Sequence, residues 1–341
     1  MTARAEAIFD IAIINRTRAE IVLSSITPYG DTTRLDSIYS YFPKMVLGER
    51  NRHRAFSLSD RSSRAVPPEK LIEEIRSGIG LAMPAKFKQR IKGMGGGEEF
   101  SGDELISAQL RWIDDALDAA DRAEVAASFG EAKETVNRRL DDYIYIHTLQ
   151  TATRDGWMNF FGLRLDAGAD PTIQVLAQKC FEAYRASTPK LLQPGEWHLP
   201  FVDEESWRDC AHYAKNVGGF PASKVFGYTY QSSEGRKDQL ERTLEIAKRL
   251  SAARCAHLSY NDLQTGSRMS IERALSIYDR LINSRPVHAS PVEHQACVDE
   301  VIVPGLFGNP DQCGNLVPGW RQARKMIPGE SVADLPEGYL L

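Results

Sequence analysis

From Ser101 the text SGDE is followed by Ile106, Leu110, Ile113, Leu117 and Ala120, which puts apolar side chains at steps of four and three. A stripe of that period specifies a helix with one buried face, because a strand would turn half of those residues to water. SGDE has the form of a capping box, so the helix is expected to run from Ser101 to about Ser128. Across 341 residues, 42% of them hydrophobic, there is enough apolar material to bury a large core around such a helix. A disordered or fibrous protein is excluded.

A second strong helix is expected near Ser270, where Ile271, Ala274, Leu275, Tyr278, Leu281 and Ile282 share a face, ending before Pro286. Weaker helical patterns cover 68–79, 132–142, 156–165 and 173–186, while 21–26, 144–149 and 298–303 read as short strands. The fold class is therefore α+β, a helix-rich subunit with a mixed sheet. Breakers cluster at 93–103, 190–200 and 303–315, but none is long or polar enough for a linker, so one domain over 1–341 is expected. The glycines of 93–97 lack the lysine of a phosphate loop and read as a plain loop.

With 42 basic and 46 acidic residues the net charge is −4, so the overall field does not draw a polyanion, and no nucleic-acid partner is expected. Cys180, Cys210, Cys255, Cys297 and Cys313 form no C-x-x-C pair and read as reduced thiols of a cytoplasmic protein. The N-terminal stretch AIFDIAII is broken by Asp10 and is too short to span a bilayer, so no membrane partner is expected.

The segment 52–65, RHRAFSLSDRSSRA, gathers arginines and serines suited to an anion, because guanidinium forks and hydroxyls match phosphate oxygens. The ordinary alternative is a solvated basic face. Arg50, Arg52 and Arg54 could equally form a local patch for nucleic acid. At 288–294 the text HASPVEH offers two histidines, but the proline between them breaks the i, i+4 face of a helical zinc site and no third ligand is near, so no metal is expected. Asn159 and Arg164 are polar residues in an aromatic segment, WMNFFGLR at 157–164, whose Trp157, Phe160 and Phe161 read as core. Arg164 there could simply cap the helix dipole.

Taken together, these segments resemble the flavin-dependent thymidylate synthase family, also called thymidylate-synthase-complementing or ThyX, whose hallmark is R-H-R, seven residues, then S. Here that is Arg52, His53, Arg54 and Ser62. The likeness extends to NRRL at 137–140, a Thr-Ala-Thr turn at 151–153 ahead of WMNFFGLR, GEWHLP at 195–200, RCAHLSY at 254–260, HASPVEH, and GWRQARK at 319–325. It spans roughly Tyr41 to Glu330. In the short bacterial members HxSPxEH precedes R-H-R, whereas here it follows, so the order resembles the long, permuted branch.

The resemblance implies a homotetramer with sites where protomers meet, FAD as cofactor, and NADPH and methylenetetrahydrofolate as co-substrates. The implied reaction is reductive methylation at uracil C5 of a uridine monophosphate. By family position Arg164, Ser62 and His53 are the catalytic set, with Ser62 positioning rather than covalent. Glu49, Arg52, Asp60, Ser62, Ser63, Arg64, Arg138 and Arg164 fall to the nucleotide. Arg52, His53, Arg54, Thr153, Arg154, Asp155, Asn159, Ser259, His288, Ser290 and Glu293 fall to the flavin. The family commonly has threonine, asparagine, glutamine and tyrosine where Ala55, Ser59, Arg61 and Ala65 stand. A UMP-preferring methylase of nucleoside-antibiotic biosynthesis, a pyrimidine-nucleotide hydroxymethylase and a non-catalytic nucleic-acid binder are the alternatives.

Overall fold

The fold is built around one central pair of long strands, β1 (Arg18–Ile26) and β2 (Leu35–Pro43), which pair antiparallel. The structure is a computed structural model and describes residues 2–92, 96–216, 233–258, 269–284, 287–303 and 305–330. A helix α1 (Ala3–Ala12) precedes β1, and the short helix α2 (Leu47–Arg50) leads from β2 into β3 (Ser57–Asp60). Next come α3 (Pro68–Arg76), α4 (Gly102–Ser128), α5 (Lys133–Arg138), β4 (Tyr145–Thr153), α6 (Arg154–Arg164) and α7 (Pro171–Ala186). The C-terminal half adds β5 (Lys190–Leu191), β6 (Trp197–His198), α8 (Glu204–Asn216), α9 (Ser233–Ala256) and α10 (Ile271–Ile282). Four short strands close the list: β7 (Ala296–Val298), β8 (Val301–Val303), β9 (Leu306–Phe307) and β10 (Trp320–Gln322).

The main sheet has the order β3-β4-β2-β1-β5, antiparallel except for the parallel pair β1 and β5, so the expected mixed α+β architecture is present. One face packs Ile38, Phe42, Ile146 and Ala152 against Trp157, Phe160 and Phe161 of α6 and Ile173 and Leu176 of α7. The opposite face lays Tyr39 and Leu149 against Cys255 and Leu258. A second sheet, β10-β7-β6, carries the buried Trp320. The long stripe is realised in α4 from its second member on: Leu110, Ile113, Leu117 and Ala120 are buried beside Ile75, Val136 and Leu140, while Ile106 is exposed.

Three expectations are corrected. The Ser101 hydroxyl makes no capping bond, so SGDE starts the helix without a capping box. Thr151–Thr153 is not a turn but the end of β4, paired residue for residue with Leu35–Ser37, and Arg154 opens α6 directly. The strand expected at 298–303 is two strands in two sheets. Between them Asp299 is 2% exposed and turns the chain, accepting from the Glu300 and Asn309 amides at 2.9 Å. By contrast Ser270 caps α10 through its side chain to the Arg273 amide, as its position predicts.

Candidate active site

The R-H-R segment is shaped by α2 and fastened by aromatic packing. After Arg50 the chain turns through hydrogen bonds from the His53 amide to the Arg50 carbonyl (3.1 Å) and from the Phe56 amide to the His53 carbonyl (3.1 Å). Phe56 then anchors it, with ring centroids 4.6 Å from Trp157 and 5.4 Å from Phe160. The turn lies on the first turn of α6. A Cβ on Gly156 would sit 2.9 Å from the Ala152 methyl and 3.3 Å from the Ala55 methyl, so only glycine admits this approach unshifted.

At the other end of α6, Arg164 reaches back to the same segment. Its Nε donates to His53 Nε2 at 2.9 Å, Nη1 to the Glu49 carboxylate at 3.1 Å and Nη2 to the Glu49 carbonyl at 3.1 Å. Arg164, His53 and Glu49 are thus brought together across 111 residues of sequence, and the arginine does more than cap a helix. The His53 ring is buried and stands edge-on to Phe160 at 4.9 Å. Burial first, then the charges of Arg164 and Arg50, push its pKa down to about 4, so it is a neutral acceptor for the Arg164 N–H.

Arg50 and Asp60 behave differently from a nucleotide-facing pair. The Arg50 guanidinium is fully buried, pairs with Asp60, and leaves Nε and Nη1 without hydrogen-bond partners among the described residues. Burial lowers its pKa while Asp60 holds it up. Arg50 therefore cannot belong to a basic surface patch, and a patch built on it for nucleic acid is not formed. Arg52 and Arg54 are exposed, with no ion pair among the described residues.

The serines at the end of the strip form a second group. Ser62 is exposed, and its hydroxyl accepts from the Arg64 amide at 3.2 Å, which places it in a turn. Asn137 fastens that turn, donating to the carbonyls of Ser63 (2.7 Å) and Val66 (2.9 Å). Arg64 and Arg138 are both exposed there, and Arg64 lies 3.8 Å from Glu134. At the start of α6 the buried Thr153 makes no side-chain cap, while Arg154, Asp155 and Asn159 reach the surface in part or wholly.

The permuted segment arrives from far along the chain. Ser57 donates to the Glu293 carbonyl at 3.0 Å, and Ser59 bonds His294 Nε2 at 2.9 Å, a separation of 235 residues. HASPVEH therefore packs on the strip itself. The Glu293 carboxylate is spent on Arg324, and His288 and Ser290 are exposed. Ser259 lies outside the described residues. In the sequence His294 stood out only as one of the two histidines of HASPVEH, and Ser59 only as a departure from the family pattern. The signal for both was the single histidine closing HASPVEH, whose partner only the fold reveals.

Residues 38–190 match the family described as thymidylate synthase complementing protein. A search of curated proteins found no match. Among solved structures, Thymidylate Synthase X from Helicobacter pylori with FAD and dUMP is similar at 18% identity and TM-score 0.32, over 45% of this chain and 68% of that one. The UMP/dUMP methylase PolB from Streptomyces cacaoi, bound with 5-Br UMP, is similar at 16% identity and TM-score 0.42, over 50% and 89%. The sequence match over residues 38–190 covers R-H-R, NRRL, Thr-Ala-Thr and WMNFFGLR together, so this part of the chain is similar to the thymidylate synthase complementing family.

Proposed function

We propose that the chain methylates uracil C5 of a uridine monophosphate, dUMP or UMP, with FAD as cofactor. Methylenetetrahydrofolate supplies the carbon and NADPH the reducing equivalents. The observation that carries this reading is the Arg164–His53–Glu49 cluster. It fixes one half-buried guanidinium, 17% exposed, by three hydrogen bonds beside an exposed arginine pair.

C5 becomes nucleophilic when negative charge develops on the pyrimidine ring, and a fixed cation next to a ring carbonyl stabilises that charge without reorganising. Arg164 suits the task because neutral His53 holds its Nε without competing for its charge, and Glu49 fixes the other two nitrogens. Ser62, Ser63, Arg64 and Arg138, grouped at the Asn137-fastened turn, suit the phosphate end of the nucleotide. Asp60 is already committed to Arg50 and serves the site by holding the strip.

The residues fit a flavin. The first turn of α6 has no capping side chain, and the exposed cations Arg52 and Arg54 lie where Ala55 touches that turn, a setting that suits a pyrophosphate. When bound, FAD supplies the hydride that completes the methyl group. Thr153, Arg154, Asp155 and Asn159 would then border it. Met158 and Leu163, exposed apolar residues beside Asn159 on α6, are where a second protomer would complete the site in a homotetramer. Folate would enter from the same open side.

The test is release of the C5 proton from dUMP and UMP, side by side, with methylenetetrahydrofolate and NADPH. Release from either supports the reading, and product mass separates a methyl from a hydroxymethyl group. A protein that neither carries nor takes up FAD overturns it.

A further inference from the structure

Two buried histidines outside the Arg164 cluster are joined into one continuous chain of hydrogen bonds across the main sheet. Ser25 Oγ on β1 bonds His198 Nδ1 at 2.8 Å, and His198 Nε2 bonds Ser37 Oγ on β2 at 2.9 Å. Ser37 Oγ meets Thr151 Oγ1 on β4 at 2.6 Å, and Thr151 Oγ1 bonds His294 Nδ1 at 2.8 Å. His294 Nε2 then bonds Ser59 Oγ on the edge strand β3 at 2.9 Å. Ser25, Ser37, Thr151, His198 and His294 have no solvent exposure, and Ser59 has 9%. Four strands about 4.8 Å apart make this a path of roughly 14 Å.

The two ends differ in surroundings. Ser25 stands in the wall of a cleft of about 510 Å³ beside Leu23, Leu192, Trp197, Leu199 and Trp207, at the β5 edge of the sheet. Ser59 stands in the strip, between the Phe56 anchor and Asp60, at the β3 edge. Every link joins groups that can both give and take a proton, and no carboxylate is part of the chain. Burial keeps both imidazoles neutral, with pKa values pushed down to about 3, and Arg50 adds to this at His294.

A neutral imidazole carries one N–H and one acceptor nitrogen, so only two arrangements satisfy all five links. In one, both histidines carry the proton on Nδ1 and every donor points from Ser59 towards Ser25. In the other, both carry it on Nε2 and every donor points the opposite way. Unlike tautomers would put two protons, or none, between Ser37 and Thr151.

We propose that this chain is a proton path between the cleft at the β5 edge and the strip that carries the active site. Ser25 is shut off from water at rest, so a proton from the cleft enters there when local opening of the wall admits water, each member passes on the one it held, and one proton leaves at Ser59. The two arrangements interconvert and nothing is oxidised or reduced. The use of the proton rests on the proposed function. There, reduction of the flavin by NADPH takes up one proton, and C5 gives one up.

The path and its use are tested separately. In protein labelled with 15N-histidine, both imidazole N–H protons should exchange with D2O far faster than the backbone amides of β2 and β4, despite equal burial. Ser25→Ala should slow exchange at His198 by about tenfold or more without changing amide protection, and Ser25→Thr should restore it. Histidine protons as slow as the neighbouring amides, or unlike tautomers at the two rings, overturn the path. In the FAD-loaded enzyme, Thr151→Val should slow flavin reduction by NADPH by about tenfold or more, raise its solvent isotope effect and leave FAD affinity unchanged. Thr151→Ser should restore the rate. Fast exchange with an unaltered reduction rate overturns the assigned use while the path stands, and absence of any flavin chemistry overturns the proposed function alone.

Discussion

Arg50 and Asp60 form an ion pair that ties α2 to the edge strand, with the guanidinium wholly out of solvent and the carboxylate 27% exposed. Among the described residues two guanidinium nitrogens have no hydrogen-bond partner, and Asp60 is the carboxylate that compensates the buried charge. Asp60→Asn should lower unfolding stability by about 3–5 kcal/mol, the usual cost of leaving such a charge alone. Arg50→Met combined with Asp60→Leu should lose much less than Asp60→Asn, because no charge then remains to be buried. Urea unfolding of the ligand-free protein checks both.

His53 predicts a pH dependence with a definite sign. The unfolded side chain takes up its proton near 6.5 and the folded one only near 4. Between those values the unfolded chain binds more protons, so stability falls as pH drops through that window and is flat above it. His198 and His294, depressed to about 3, act in the same direction over a window reaching lower. His53→Gln should flatten part of the loss between pH 6.5 and 4, measured as unfolding midpoint against pH. An unchanged slope would mean that His53 does not stay neutral in the fold.

How much of this was legible depended on whether a residue's partners were near it in sequence. The α10 face and its Ser270 cap were readable because cap and apolar stripe are local. β2 was not, because as a central strand it is buried on both faces and carries Asp36, Ser37 and Ser40 inside, which erases the alternation that marks a half-buried strand. The composition of the strip suggested an anion or a solvated basic face, but gave no division of labour within it. Nothing local distinguishes Arg50, wholly buried against Asp60, from Arg52 and Arg54, which face solvent. The partners of His53 and Ser59 lie 111 and 235 residues away, so only family resemblance could point to them before the fold did.

Two glycines of α6 should respond oppositely to the same change. Gly162 is exposed and a Cβ there would meet nothing within 4 Å, so Gly162→Ala should stabilise by about 0.5–1 kcal/mol through helix propensity. At Gly156 the new methyl would press on Ala152 and Ala55, so Gly156→Ala should cost about 1–3 kcal/mol despite the same propensity gain. It should also weaken FAD binding, since the R-H-R turn must lift from α6. Thermal unfolding and flavin titration of the two variants give the comparison, and equal stabilisation of both would refute the close packing of Ala55 on α6.

Arg164→Lys separates charge from geometry. Lysine keeps the positive charge but cannot donate at once to His53, the Glu49 carboxylate and the Glu49 carbonyl from the three directions a guanidinium provides. A cation that is no longer fixed must reorganise as charge develops on the pyrimidine, and loss of one preorganised donor typically costs about 10²–10³ in rate. C5-proton release should fall by that order, with nucleotide affinity much less affected because the phosphate contacts proposed for the Ser62–Arg64 turn are left untouched. Glu49→Gln keeps an acceptor for Nη1 and should cost less than Arg164→Lys. If instead Arg164→Lys weakens nucleotide binding and leaves turnover intact at saturation, the guanidinium holds substrate and does not stabilise charge on the ring.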